Sequence, residues 1–164
     1  MSIKNFKPIR NSPYNQGYYK CKNPQKYIGD LKKIIYRSSL ELKAYTEFDL
    51  DDTVVRWSVE PPQLKISYLY VVDGKRHSYN PDAYIEKINK NGFLNKFVIE
   101  IKPKSLLIKP NKPIVADRKK YVAYKKRLAF WLKIMNKKMA AEKFCESKGM
   151  KYIFMTESYI NRNL

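Results

Sequence analysis

The stretch KFVIEIK, residues 96–102, closed by Pro103, constrains the fold more than any other part of the chain. Its aromatic and β-branched residues read as a strand, and the flanking apolar side chains place that strand in the middle of a sheet. Side chains alternate along a strand, so Phe97, Ile99 and Ile101 face one way and Val98, Glu100 and Lys102 the other. Glu100 and Lys102 then stand about 7 Å apart on one face. An isolated buried charge costs several kcal/mol. Something must compensate the two, either their mutual pairing or a bound ion.

A third charge falls beside them. Asp73-Gly74 predicts a two-residue hairpin turn between a strand over 64–72 and a return strand from Lys75 through Ile85. Pro81 has no N–H to give to a ladder, so it implies an edge or a bulge there. If the return strand pairs with residues 96–102, Asp82 approaches Glu100. Two carboxylates brought close repel unless a proton or a cation lies between them. Oxygen ligands of this kind suit Mg²⁺ (or Mn²⁺), which takes one or two carboxylates together with phosphate oxygens and water. Such a site lowers the pKa of a bound water and stabilises charge on a phosphoryl oxygen. Lys102 would orient the attacking water or neutralise the transition state. The chemistry is that of metal-dependent phosphodiester hydrolysis.

The net charge of +19 over 164 residues points to a polyanionic partner, and nucleic acid comes before membrane. The charge is uneven: nine Lys/Arg and one acid in residues 1–39, eight and ten in 40–101, seventeen and four in 102–164. A basic protein thus surrounds an acidic middle, as a site holding divalent cations against phosphate requires. Apolar runs are too short for a membrane span, and the N-terminal residues lack the apolar stretch of a secretory signal. Cys21 and Cys145 have no metal-type spacing and read as reduced thiols. His77 is the only histidine and reads as exposed. No Gly-rich phosphate loop is present, which argues against a nucleotide cofactor or an ATP-driven motor.

Residues 1–30 read as an extended basic arm and 31–164 as one domain. RSSLELKAYTEFDLDD predicts a helix capped by Ser38 or Ser39. Residues 54–72 read as extended chain broken at Pro61-Pro62. Residues 117–148 predict helix in two parts, with Asn136 capping the second and Gly149 ending it. In it Tyr121, Tyr124, Leu128, Trp131 and Leu132 form a stripe that reads as core. KYIFMT is a last short strand. The order is helix, three strands, helices, strand.

Pro81-Asp82, followed on a strand by Glu100-Ile101-Lys102, resembles the signature of the PD-(D/E)XK nuclease superfamily. The element order is similar to its αβββαβ core, a mixed α/β fold with a four-stranded sheet flanked by helices. Block by block, KNPQKYIGDLKKIIYRSSLELKAY, VVRWSVE, VVDGKRHSYNPD, FVIEIKPK and AAEKFCESKGMKYIFMTES are similar to the head-completion nucleases of large contractile-tailed bacteriophages. Those are in turn similar to the nuclease subunit of a bacterial transposition system.

The resemblance implies a Mg²⁺-dependent DNA endonuclease that processes packaged DNA at the head before tail attachment. Double-stranded DNA and the portal or neck proteins would be its partners, in the virion and in the host cytoplasm during assembly. Asp82 and Glu100 would hold metal and Lys102 would assist. Glu41 matches a first-helix acid that completes the metal site in the superfamily, yet Ser38-x-x-Glu41 is also a capping box. Glu60 is either an acid near the metal or a solvated loop carboxylate. Lys104, Arg118, Lys119, Lys120, Lys125, Lys126 and Arg127 would contact DNA phosphates, and Arg37 would either touch phosphate or close a surface ion pair. Two other readings stand beside this one: a non-catalytic DNA-binding neck protein that retains the fold, and the nuclease subunit of a transposase-like system.

Overall fold

The computed structural model describes residues 7, 9, 13–114 and 117–160. Most of the first twelve residues of the expected arm, and residues 161–164 of the domain, lie outside them. The chain runs through β1 (Gly17–Tyr18), β2 (Ile35–Tyr36), α1 (Ser39–Leu50), β3 (Val54–Val59), β4 (Ile66–Tyr70), β5 (Lys75–Tyr79), β6 (Ala83–Ile88), β7 (Leu94–Ile101), α2 (Arg118–Ser147), β8 (Lys151–Met155) and α3 (Glu157–Ile160). A mixed four-stranded sheet of order β3-β6-β7-β8 forms the centre, antiparallel except for the parallel β7–β8 pair. The segment KFVIEIK is therefore an inner strand, as its composition requires.

One face of this sheet is covered by α1. Ala44, Tyr45 and Phe48 of that helix pack with Trp57, Ala83, Ile85, Ile99 and Ile101. Across the other face, Val98 and Tyr84 meet Leu64 and Cys145 of α2. Glu100 follows Val98 onto that second face by simple alternation.

The strands that build the sheet differ from the sequence expectation. Although the last residues of the expected return strand, 83–85, pair with β7, strand 64–72 and the first part of that return, Lys75–Tyr79, do not enter the sheet. They form a separate two-stranded ribbon, β4–β5, which packs on α2 through Ile66, Tyr68, Tyr79 and Ala141. The return strand ends at Tyr79, and Asn80-Pro81-Asp82 interrupts it before β6 begins. Pro81 cannot donate to a ladder, so the chain steps from the ribbon into the main sheet there. The first core strand is instead β3, which pairs with β6. The hairpin turn spans four residues between the paired Tyr70 and Lys75 rather than two. Gly74 alone in it takes positive φ, +66°, and its N–H donates to Tyr70 O at 2.9 Å.

The second helix also differs. It is one unbroken helix of 30 residues, about 45 Å long. Asn136 lies in its middle, and its Oδ1 accepts the N–H of Val71 in the ribbon's turn, so its polar side chain serves a tertiary contact instead of a cap. Asp117 caps the helix, accepting from Lys119 and Lys120 N–H. Gly149, at φ +64°, follows its end as expected. The aromatic stripe is not core. Tyr121 is 40% exposed, and the buried residues of α2 are Ile134, Ala141 and Cys145. The rest of the stripe is half-buried against neighbours outside the main sheet: Trp131 donates its Nε1–H to Leu107 O at 3.1 Å, and Ala129 O accepts the Tyr70 hydroxyl at 3.0 Å.

The stretch 1–30 divides. From Tyr19 onward it packs on the domain: Tyr19 and Tyr27 meet Trp57 at ring-centroid distances of 5.9 and 4.8 Å. Asp49, fully buried at the end of α1, fastens this segment. It accepts from Tyr19 Oη–H (2.8 Å), Lys22 N–H (2.6 Å) and Asn23 N–H (2.9 Å).

Candidate active site

Asp82 and Glu100 meet around one ammonium. The antiparallel register Ala83↔Ile99 puts Asp82, one residue further on, beside the end of β7 that carries Glu100. Lys102 Nζ lies 3.1 Å from Asp82 Oδ2 and 3.0 Å from Glu100 Oε1. Asp82 Oδ2 also accepts the N–H of Ile101 at 2.7 Å. Glu100 is 4% exposed, and its Oε2 is buried without a hydrogen-bond partner among the described residues. Burial, then the charge of Asp82, pushes the Glu100 carboxyl well above the usual range, with Lys102 acting against both. For Lys102 burial works against the charge, but Asp82 and Glu100 outweigh it and hold the ammonium above the usual lysine range.

Glu41 opens α1 nearby. Ser38 Oγ accepts the Glu41 N–H at 3.1 Å, as a helix cap should. The return half of the box lands one residue early: Glu41 Oε2 accepts the N–H of Arg37 at 2.7 Å rather than that of Ser38. The side chain also feels the charges of Asp82 and Lys102, and burial raises its pKa. Cap and neighbour of the acids are thus one position. Arg37 Nη1 pairs with Glu60 Oε1 at 2.5 Å. Glu60 holds φ +40°, a conformation uncommon outside glycine, while its N–H donates to Asp82 O. These residues border a cleft of about 670 Å³ lined by Arg37, Glu60, Lys65, Ser78, Tyr79 and Asn80.

One side chain of this neighbourhood was not singled out from the sequence. Lys137 of α2 is half-buried and feels the charges of Glu100, Lys102 and Asp82. Its position is one lysine among many in a basic helix, and no local motif marks it.

Residues 51–157 match the family of TnsA-like endonuclease N-terminal domains. The chain belongs to the TnsA-like endonuclease family. It is also 30% identical over 141 residues to the head completion nuclease of Enterobacteria phage T4, covering 86% of this chain and 90% of that protein. The resemblance read from the sequence blocks therefore holds. The matched endonuclease domain takes in Asp82, Glu100, Lys102 and Lys137, and begins after Glu41.

PD-(D/E)XK-like nucleases generally use divalent metals, and the donors here fit a hard cation. The acids offer oxygen ligands, and one buried carboxylate oxygen has no partner. Among the described residues no group of three or more Asp, Glu, His or Cys stands close enough to hold an ion. Lys102 sits between the two acids, and Glu41 Oε2 is turned to the Arg37 N–H.

The candidate DNA contacts of this endonuclease domain spread widely. Arg118, Lys119, Lys120, Lys125, Lys126 and Arg127 are all exposed on the first turns of α2. They precede Lys137 by about 15–28 Å along the helix axis. Lys104 is exposed beside the end of β7, and its N–H donates to Glu157 Oε2 at 3.0 Å. Among the described residues no helix is long and apolar enough to cross a membrane.

Proposed function

We propose that this chain is a Mg²⁺- or Mn²⁺-dependent DNA endonuclease of phage head completion, processing the end of packaged DNA at the portal before the tail attaches. The observation that carries the reading is the cluster of Asp82, Glu100 and Lys102, with a buried Glu100 oxygen left without a partner. The family and the named phage relative support it. Virion head or neck, with the host cytoplasm during assembly, is the corresponding location, and portal or neck proteins are the corresponding partners.

Asp82 and Glu100 would hold the metal, with Glu41 as a third acid. The ion, when bound, supplies a more acidic water and a Lewis acid for the phosphoryl oxygen. Lys102 is held charged by the two acids, so it serves as a fixed cation that orients the attacking water and offsets charge on the phosphate. Glu60, tied to Arg37, shapes the wall of the cleft. Arg37, Lys104 and the basic turns of α2 hold the duplex through its phosphates, with little sequence readout.

The test is cleavage of linear and supercoiled duplex DNA with Mg²⁺ or Mn²⁺, against a chelator control. The wild type should cut, and Asp82→Asn and Lys102→Met should not. Salt-sensitive DNA binding by a wild type that never cuts would favour the non-catalytic neck protein instead.

A further inference from the structure

Lys137 projects from the middle of α2 toward the ribbon. Its ammonium lies 4.6 Å from the centroid of the Tyr79 ring and 6.0 Å from that of Tyr68. Tyr79 in turn donates its hydroxyl to Lys137 O at 3.3 Å, which fastens the helix turn to the ribbon. The lysine is half-buried and makes no ion pair among the described residues. A long cationic side chain normally reaches water or a carboxylate. Here it rests on two aromatic faces while Lys102, another cation, lies close enough to oppose its charge. Burial adds to that cost.

Negative charge nearby favours the charged form of such a lysine. Glu100 and Asp82 supply part of it, but Lys102 already takes an oxygen of each. What would complete the balance is a further anion entering between the two lysines. Glu100 lies by alternation on the sheet face that α2 covers, and Tyr79 ends β5 three residues before Asp82, so the ammonium over Tyr79 and the acids share one side of the sheet. Lys133, one turn earlier and about 6 Å along the axis, lies over Tyr70 at 5.6 Å and continues the row away from the acids.

We propose that Lys137 contacts the scissile phosphate from the α2 side, as a second fixed cation of the reaction beside Lys102. The inference rests on the endonuclease reading above and adds to it a residue from a different element. The ammonium meets the phosphate oxygens and offsets the charge that grows on them as the water oxygen, losing its proton to solvent, bonds to phosphorus and the bond to the leaving deoxyribose oxygen breaks, that oxygen taking up a proton in turn.

The experiment is single-turnover cleavage of duplex DNA with Mn²⁺ by the wild type and by Lys137→Met, Lys137→Arg and Lys148→Met. Duplex affinity is measured in parallel with Ca²⁺ in place of Mn²⁺. Lys137→Met should lower the rate at saturating protein by about 100-fold, the loss typical of removing one charge-stabilising donor. Its affinity should fall only a few-fold, as for one phosphate contact among many. Lys137→Arg, which keeps a cation over Tyr79, should recover much of the rate, and Lys148→Met should match the wild type. A wild-type rate in Lys137→Met, a loss confined to affinity, or no recovery in Lys137→Arg would overturn the role of Lys137 while the wild type still cuts. A wild type that does not cut removes the endonuclease reading itself, and this inference with it.

Discussion

Asp82 Oδ2 accepts the backbone N–H of Ile101 at 2.7 Å, across the gap where β6 has not yet begun to pair with β7. The carboxylate proposed above as a metal ligand is therefore also a structural acceptor. Replacing it removes both roles together unless the substitute keeps the acceptor.

Asp82→Ala should lower stability by roughly 1–3 kcal/mol, because it leaves a buried N–H without a partner. Asp82→Asn keeps a carbonyl oxygen there and should lose much less. Both should lose cleavage. Chemical denaturation of the two variants checks this, and equal stabilities would remove the structural half of the role.

Glu100 gives a pH-dependent result. Its raised pKa means that the folded protein keeps a proton the unfolded chain has already released. Stability therefore falls as pH rises from the ordinary carboxylate value, 4.5, through the raised one. Glu100→Gln carries no such charge and should melt higher than the wild type, with a gap that widens between about pH 5 and about pH 8. It should also be inactive. A melting-temperature gap that shrinks with pH would contradict the sign.

Metal should reverse that order. An ion bound only by the folded state stabilises it in proportion to the logarithm of its concentration. Millimolar Mn²⁺ should raise the melting temperature of the wild type and not that of Asp82→Asn or Glu100→Gln. Equal shifts in all three would place the ion elsewhere.

Glu41 can be divided by one substitution. Glu41→Gln keeps an acceptor for the Arg37 N–H and loses the charge. If Glu41 is a third metal acid, the variant keeps its stability to within about 0.5 kcal/mol but binds Mn²⁺ more weakly and cuts slowly. If the residue is only a cap, cleavage is unchanged.

Asp49 should govern acid stability on the far side of the domain. Burial opposes its charge, but the donors from Lys22, Tyr19, Asn23 and Cys21 outweigh that and hold its pKa below the usual value of 3.8. Its contribution is present above that value and is lost as pH falls through the lowered one. Asp49→Ala should cost about 2–3 kcal/mol at neutral pH, as expected for loss of hydrogen bonds to a buried charge. Proteolysis should then open the chain first between Tyr19 and Tyr27, and a cleavage pattern unchanged from the wild type would count against this clamp.

The sequence by itself determined the central strand, a hairpin around Asp73-Gly74, the first helix, helix over 117–148 though not its continuity, and the three charges at 82, 100 and 102. These follow from local rules: alternation, turn residues, caps, and the cost of burying charge without compensation. Glu41 as a capping residue was legible for the same reason. Which strands share a sheet was not. The stretch 64–72 and the strand Val54–Val59 have similar compositions, and only the step at Pro81 decides which of them joins β6. The stripe from Tyr121 to Leu132 has core periodicity, but periodicity cannot tell that those turns meet only the ribbon and the 104–107 turn and stay half-buried or exposed. Lys137 is the clearest case. Nothing in its local sequence separates it from the other lysines of α2, because its surroundings come from Tyr79, Glu100 and Lys102, residues 35 to 58 positions away that only the tertiary fold brings against the helix.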